Sequence, residues 1–325
     1  MSNSTIKDVA LAAGVSAMTV TRVFRNDRNV SSVTRELVLA AAQELNYRPN
    51  HSARALRGGA THTIGFIASN VEFISRTLRR MSIKLMPHRY ISSIIDSLGD
   101  TNVIAYGLAE VAARQMDALI FEYRAGYGEL EDLMKFQKNP IVFSFLRCPD
   151  YSGDFCHIDL ESAYLEALKY LVGHGRKNIY VLGRSFSFFR ESFRQYGFEQ
   201  NWLDTSTYPS KPDYANHAEK FIDFIEHGGK VDAIFCENEI AAARICNYLH
   251  NKKIRIPQDI AVIGLSNHSL SPHLSPPLST IDSKDNLLGD VLYDMTMHRL
   301  QNPDAPAQKR YIKPEFILRE SAMIK

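Results

Sequence analysis

The sequence predicts a small all-α head at the N-terminus, followed by an α/β body of two lobes built on parallel sheets. Three observations carry this expectation. The first 48 residues hold three helix-length segments separated by turn formers, short apolar strands alternate with helical stretches from residue 62 onward, and positive charge gathers before residue 60. In that opening stretch eight Lys and Arg stand against four Asp and Glu, a net of +4, whereas the 325-residue chain carries only +2 and its remainder is therefore at −2. A compact basic head on a mildly acidic body points to a polyanionic partner for the head alone.

The head elements follow in order. TIKD at 5–8 has the spacing of a capping box, with the Thr5 hydroxyl at the N-cap and a carboxylate three residues on, and Ile6, Val9 and Ala10 supply an apolar stripe. Gly14 breaks that helix, Ser16 caps a second, and Val20, Val23 and Phe24 fall on one side of it. Ser31 and Ser32 cap a third helix whose Val33, Leu37, Ala41 and Leu45 are expected to close the small core. With the second helix so oriented, its outward stripe is Ala17, Met18, Thr21, Arg22 and Arg25, and no carboxylate occurs between Asp8 and Asp27. Short side chains let a helix approach a major groove closely, hydroxyls reach phosphates or base edges, and an arginine offers a bidentate fork to guanine.

NYRPNHSARALRGG at 46–59 reads as a tether with a purpose. Pro49 stops the preceding helix, Asn50 caps a new one, and Gly58 and Gly59 end it after two turns. So short a helix is marginal by itself. Ala53 is small, Arg54 and Arg57 are basic, and Leu56 is apolar with no local partner, a composition suited to ordering on DNA with arginines along phosphates and Leu56 wedged into a minor-groove step. The expected divisions are 1–48 for the helix-turn-helix head, 49–61 for the hinge helix and linker, and 62–325 for the body.

In the body, TIGFIA, YISSII, ALIFEY, IVFSF, NIYVLG, DAIFC and IAVIG read as strands, with helices such as LESAYLEALKYLVGHG between them. The turn-rich CPDYSGDFCH, around 148–157, is expected to separate the lobes, and ligands of such sheets sit beyond the strands' carboxyl ends, in the cleft. Cys148, Cys156, Cys236 and Cys246 never form Cys-x-x-Cys and read as reduced, buried thiols. No apolar run approaches a membrane span and the start lacks the apolar core of a signal peptide, so the expected location is the cytoplasm with no membrane partner. Phosphate-binding, dinucleotide and nucleophile-elbow motifs are missing, GRSFS at 183–187 breaking the last of these at its final position. His268 and His273 lie in a Ser/Pro-rich loop without a nearby acid or thiol, and Trp202 reads as packing. No catalytic residue, metal or cofactor is expected.

TIKDVALAAGVSAMTVTRVF, VSSVTRELVLAAAQELNYRPN, SARALR and THTIGF closely resemble the N-terminal region of LacI/GalR-type transcriptional regulators. The Ala-Met-Thr-Val form of the second helix is most similar to the gluconate-operon repressors of that family. The resemblance implies that Ala17, Met18 and Arg22 read bases, that Thr5, Ser16, Thr19 and Thr21 contact phosphates, and that Leu56 is the hinge wedge. RQYGF, VDAIFCENEIAA, IPQDIAVIGLSNHSLSPHLSPPLSTI and the terminal ILRES extend it more thinly to the C-terminus and imply a periplasmic-binding-protein-like sensor. Arg194 and Asn238 would then touch an effector, faced by Ser69 and Phe73 of the first lobe, with Ser266 where the family usually carries an aspartate. The implied lobes are about 62–155 with 284–308, and about 156–283 with 309–325, the final helix rejoining the first lobe from about Lys284. Two departures bear on the ligand: Ser266 and Asn267 replace an aspartate pair, and Phe145 stands where an acid is common. Carboxylates there would accept hydrogen bonds from sugar hydroxyls. With Arg194 kept and Arg147 near it in the chain, the expected effector is anionic, a sugar acid or sugar phosphate. The implied protein is a homodimeric repressor on near-palindromic double-stranded DNA; the other readings are a DNA-binding regulator with no effector and, more remotely, an α/β enzyme.

Overall fold

The structure is a computed structural model that describes residues 4–24, 27–47, 60–124, 126–145, 150–182, 214–236 and 238–324. The chain separates into two compact units, Met1–Thr61 and His62–Lys325.

The first unit holds α1 (Ile6–Ala12), α2 (Ala17–Phe24) and α3 (Ser32–Glu44). Each begins on the hydroxyl the sequence offers: the Thr5 capping box opens α1, Ser16 Oγ accepts the Thr19 amide at 3.1 Å, and Ser31 Oγ accepts the Thr34 amide at 3.2 Å. Gly14 sits at φ +64°, the left-handed region a side chain rarely adopts, and this turns the chain sharply between α1 and α2. Val9, Val20 and Val23 are buried as expected, while Phe24 is only half-buried, its ring 5.8 Å from that of Tyr47. The core stripe of α3 corrects the expectation. Val38, Ala41 and Ala42 are buried with Leu45 packed beside them, whereas Val33 and Leu37 are 66% and 53% exposed. The reason is geometric: a strict four-residue spacing advances about 40° around the helix at each step, so 33, 37, 41 and 45 spiral away from one face that 38, 41, 42 and 45 share.

The second unit contains two sheets. The first has six parallel strands in the order β10-β5-β4-β3-β1-β2, with β1 Thr63–Ala68, β2 Ile91–Asp96, β3 Ala118–Glu122, β4 Pro140–Ser144, β5 Asp154–Ile158 and β10 Lys309–Ile312. The second runs β11-β9-β8-β7-β6, from β6 Ile179–Leu182, β7 Ala233–Cys236, β8 Ala261–Leu265, β9 Ser279–Asp282 and β11 Glu315–Ile317. Its β11–β9 pair is antiparallel, an edge exception to the expected parallel sheets. Helices α4 (Ser75–Leu85), α5 (Thr101–Ala113), α6 (Leu130–Met134), α7 (Leu160–Gly173), α8 (Tyr214–Glu226), α9 (Glu239–Asn251) and α10 (Asp285–Gln301) connect them. Strands buried on both faces read as continuous apolar runs, and β1, β3, β4, β7 and β8 are of that kind, with Phe66 on β1, Phe121 on β3, Phe143 on β4 and Phe235 on β7 each contributing about 2–3 kcal/mol of burial.

DFCHI, expected within a break between lobes, is instead strand β5, well inside the first sheet. Asp154 opens it at 3% exposure and forms a two-pronged pair with Arg299 (2.8 Å to each oxygen), so a carboxylate that looks like a loop residue is a buried structural one. The first sheet therefore runs on to Ile158 and takes in Lys309–Ile312, past the limits expected at 155 and 308. The chain crosses between sheets after Ile158, after Asp282 and again between β10 and β11. Helix α10 packs along α4 on the first lobe, where a Cβ on Gly289 would meet Thr77 O and Arg80 Cβ at 2.8 Å. That close approach sets the seam on which the inter-lobe chemistry rests. Cys156, Cys236 and Cys246 are free and buried, and burial raises each thiol above its usual range. Cys148 and Trp202 lie outside the described residues.

Candidate functional site

In the head, the outward face of α2 presents Met18 at 64% exposure and an Arg22 side chain at 58%, with Thr21 half-buried beside them and Ala17 half-buried against the head core. Arg22 Nε lies 4.0 Å from Asp27 Oδ2, an exposed pair that leaves the guanidinium free to exchange partners. The four hydroxyls expected at phosphates all have internal partners. Thr5 donates to Asp8 Oδ2 at 2.8 Å, Ser16 and Thr19 share a 2.9 Å bond, and Thr21 donates to Ala17 O at 2.9 Å. A phosphate at Thr5 or Thr21 must compete with those bonds or use the oxygen as acceptor. The Thr5 amide and hydroxyl hold Asp8 below the usual carboxylate range, so α1 starts on a fixed negative charge. One residue that sequence reasoning passed over is Arg35. Its guanidinium caps the end of α2, donating to Val23 O (3.2 Å) and Asp27 O (2.8 Å), and so fixes α2 against α3. Asn50, Ala53, Arg54 and Leu56 of the hinge, and Arg25 of the stripe, lie outside the described residues.

In the body, the expected effector residues fall at the carboxyl ends of strands. Ser69 follows β1 and is 6% exposed; its amide and hydroxyl donate to the two oxygens of Glu122, at 2.9 and 2.8 Å, and Arg124 Nε reaches Glu122 Oε1 at 2.9 Å. Ser69 is thus committed to a buried carboxylate that the sequence reading missed, because nothing within 50 residues of Ser69 announces it. Phe73 meets Phe145 edge-on at 5.2 Å, so the phenylalanine found where an acid is common builds an aromatic wall.

From the second lobe, Asn238 caps α9 through Oδ1, which accepts the Ala241 amide at 2.8 Å, and Ser266 follows β8. Asn238 Nδ2 and Ser266 Oγ are buried with no hydrogen-bond partner among the described residues. They follow adjacent parallel strands and are free to serve a ligand. Behind them lies Glu239, 5% exposed, its Oε1 accepting the His268 amide (2.7 Å) and the Ser271 hydroxyl while Oε2 has no partner among the described residues. Burial pushes the Glu239 carboxyl up to about 7, against the opposing pull of the His268 amide, Arg76 and Arg319. Asn267 is occupied on both sides, its Oδ1 by Arg319 (2.7 Å) and its Nδ2 by Asp282 (3.3 Å). Arg194 and Arg147 lie outside the described residues. A groove of about 500 Å³ lined by His250, Lys253, Arg255 and Pro276 opens to solvent at the amino ends of β8 and β9, the opposite edge from Ser266.

A helix-turn-helix head joined to a two-lobed α/β body on parallel sheets is the architecture of a DNA-binding regulator. Comparison with known proteins agrees. Residues 5–50 match the model described as bacterial regulatory proteins, lacI family, and residues 168–322 match a periplasmic binding protein-like domain. The ribose operon repressor of Escherichia coli strain K12 is 27% identical over 337 residues, covering 98% of this chain and 100% of that protein. The HTH-type transcriptional repressor PurR of Pasteurella multocida is 29% identical over 339 residues, covering 98% of each. A structure of the lac repressor dimer bound to operator and the anti-inducer ONPF superposes with a TM-score of 0.80 at 20% identity, over 99% of this chain and 100% of that one, a likeness of fold. The chain carries the DNA-binding region of the lacI family of bacterial regulatory proteins and, further on, a periplasmic-binding-protein-like domain, and the relatives that align with it end to end are DNA-binding repressors. No helix among the described residues is long and apolar enough to cross a membrane, and no group of His, Cys, Asp and Glu there could hold a metal.

Proposed function

We propose that the chain is a homodimeric repressor acting in the cytoplasm, which reads a near-palindromic operator through Ala17, Met18 and Arg22 and answers to an anionic, carbohydrate-derived effector between its lobes. The observation that carries the DNA half is the acid-free outward face of α2, with Met18 and Arg22 exposed on a helix whose other side is sealed by Val20 and Val23. Thr5, Ser16, Thr19 and Thr21 flank that face as phosphate contacts, and Asn50, Ala53, Arg54 and Leu56 supply the hinge. One head covers a few base pairs, so two are needed for useful affinity. In support of a dimer, the first lobe ends in an edge strand, β2, that exposes Ile91 and Ile94 beside Ile83 and Met86.

For the effector, Ser69, Phe73, Asn238 and Ser266 form the described wall of the site, with Arg194 as the cation. The uncharged Ser266 and the apolar Phe145, in places suited to carboxylates that would repel an anion, favour an acid or phosphate over a neutral sugar. The domain divisions follow: head 1–48, hinge 49–61, sensor 62–325. Selection of bound DNA from a random pool, repeated with a sugar acid, a sugar phosphate and the matching neutral sugar, tests both halves. A symmetric site released or tightened by the anions alone is the expected result. Tight calorimetric binding of the neutral sugar with none of the acids overturns the effector reading, and equal, weak attachment to every fragment overturns the operator reading.

A further inference from the structure

We infer that Arg76 is a positioning residue that ties the two lobes together across the cleft without any ligand, and so sets the resting lobe angle on which regulation acts. Arg76 lies one turn beyond Phe73, at the start of α4, with its side chain 28% exposed. Its Nε and Nη2 donate to Asp285 Oδ2 at 3.1 and 2.7 Å. Asp285 is a rigid anchor: 2% exposed at the first residue of α10, it takes the Ser283 hydroxyl on Oδ1, and its carbonyl accepts the Thr77 hydroxyl at 3.0 Å. The cation is thus pinned to the first lobe.

From there it reaches across to the second. Nη1 donates to Asn267 O at 2.7 Å, and Nη2 donates to Ser266 O. The receiving turn is fixed in advance. Ser266 and Asn267 are consecutive non-glycine residues in the left-handed region, φ +82° and +48°, a conformation that persists only when its surroundings enforce it. Those surroundings are present: the Ser266 amide donates to Ile281 O (2.8 Å), the Asn267 amide to Thr280 Oγ1 (3.2 Å) and the His268 amide to Glu239 (2.7 Å). A planar guanidinium spreads its donors over three nitrogens and here makes four hydrogen bonds to a carboxylate and two carbonyls; an ammonium has three donors on a single nitrogen and cannot span the same set.

The next rungs of the same seam show what is special here. Arg80 pairs with Asp290 at 2.8 Å and Lys84 with Asp290 and Asp294 at 3.1 and 3.4 Å, all between α4 and α10 of the first lobe. Of these three cations Arg76 alone spans the cleft. An effector that changes the lobe angle must break or strengthen its two carbonyl bonds, so the strength of the bridge enters the effector response directly.

The test uses the full-length chain with Cys148→Ser and spin labels on Asn102→Cys and Ile240→Cys, exposed positions on the two lobes, diluted into unlabelled protein. Arg76→Met/Asp285→Asn removes the bridge without leaving a buried charge unpaired. The expected result is a longer, broader label distance in the folded variant, with operator affinity shifted about 5- to 100-fold. Arg76→Lys, which keeps its charge beside Asp285 but cannot serve both carbonyls, should lengthen the distance in the same sense, and it decides the matter if the double variant does not fold. A folded variant of either kind with the wild-type distance distribution overturns the inference. The inference leans on the proposed function only for the operator readout: a changed distance with unchanged operator affinity leaves the bridge standing and counts against coupling of lobe angle to DNA binding.

Discussion

The head and the body use polar side chains in opposite ways. On the head, Met18 and Arg22 face solvent, and the polar bonds around them are local: Ser16 to Thr19, Thr21 to Ala17, Arg35 to Val23. In the body the decisive polar groups are buried and joined over long stretches of chain, Ser69 to Glu122, Arg76 to Ser266 and Arg299 to Asp154. A polar residue on the head can be exchanged with little loss of stability and a large loss of recognition. One in the body carries the desolvation of its partner with it, so its loss is felt first as stability.

The largest expected effect lies at Arg299. Its side chain is 12% exposed, that of Asp154 is 2%, and the guanidinium also holds the carbonyls of Pro303, Ala305 and Pro306. Burial pushes the Asp154 carboxyl upward, yet the Arg299 hydrogen bonds, the Gln308 amide and the Arg299 charge bring it below its usual value. Because the folded value is depressed, this contribution is present above about pH 4 and is lost as the solution is acidified further. Arg299→Met leaves a buried carboxylate without its cation and should cost about 3–5 kcal/mol in urea unfolding at neutral pH. Lys252→Met, at an exposed pair 3.0 Å from Glu226, should cost less than about 1 kcal/mol. Equal losses from the two would break the contrast between buried and exposed polar chemistry.

Glu239 sharpens the contrast through pH. Its carboxyl is raised to about 7 in the folded chain, so between about pH 4.5 and 7 the folded form holds a proton that the unfolded form has released. Stability from this group is therefore greatest in mild acid and falls as pH rises to 7. Glu239→Gln keeps an acceptor for the His268 amide and abolishes the titration. Relative to that variant, the wild type should lose on the order of 2 kcal/mol between pH 5 and pH 8, measured by urea unfolding at both. Parallel pH profiles for the two proteins would place the buried charge elsewhere.

Arg22→Ala moves the other quantity. Operator affinity measured by anisotropy should drop by about 1–3 kcal/mol, with relaxed preference at one base pair, while unfolding stability changes by less than about 0.5 kcal/mol. A stability loss as large as the affinity loss would mean that Arg22 is structural.

The same division explains what could be read from the chain in advance. Hydroxyl caps, Gly14 and the 3.6-residue stripe of α2 act within a few residues, so Thr5, Ser16, Met18 and Arg22 were legible, as were the apolar runs of β1, β3, β4 and β8. Strand β5 was hidden because its first residue is a carboxylate whose partner, Arg299, comes 145 residues later. Arg76, Glu239 and Asp285 were missed for the same cause, since a buried charge is recognised by its partners and theirs include groups far along the chain; Glu122 has Arg124 beside it, but its bonds to Ser69 span 53 residues. Ser69 and Ser266 are named as site candidates only through family resemblance; their buried partners, Glu122 and Arg76, lie far along the chain.

The smallest predicted effect tests the one place where local period misled. Val33 and Leu37 sit on α3 at four-residue spacing and look like core, yet both are more than half exposed, while Val38 is fully buried between α1 and α2 contacts. Leu37→Gln removes little buried area and should change the amide-exchange protection of the head helices, read in the full-length chain, by less than about 0.5 kcal/mol. Val38→Ala deletes two methyl groups from a core of seven small residues and should cost about 2 kcal/mol by the same measurement. If Leu37→Gln instead proved the more damaging, α3 would have to turn by roughly one residue about its axis, and Arg35 would swing away from the carbonyls of Val23 and Asp27 that hold the outward face of α2 in place.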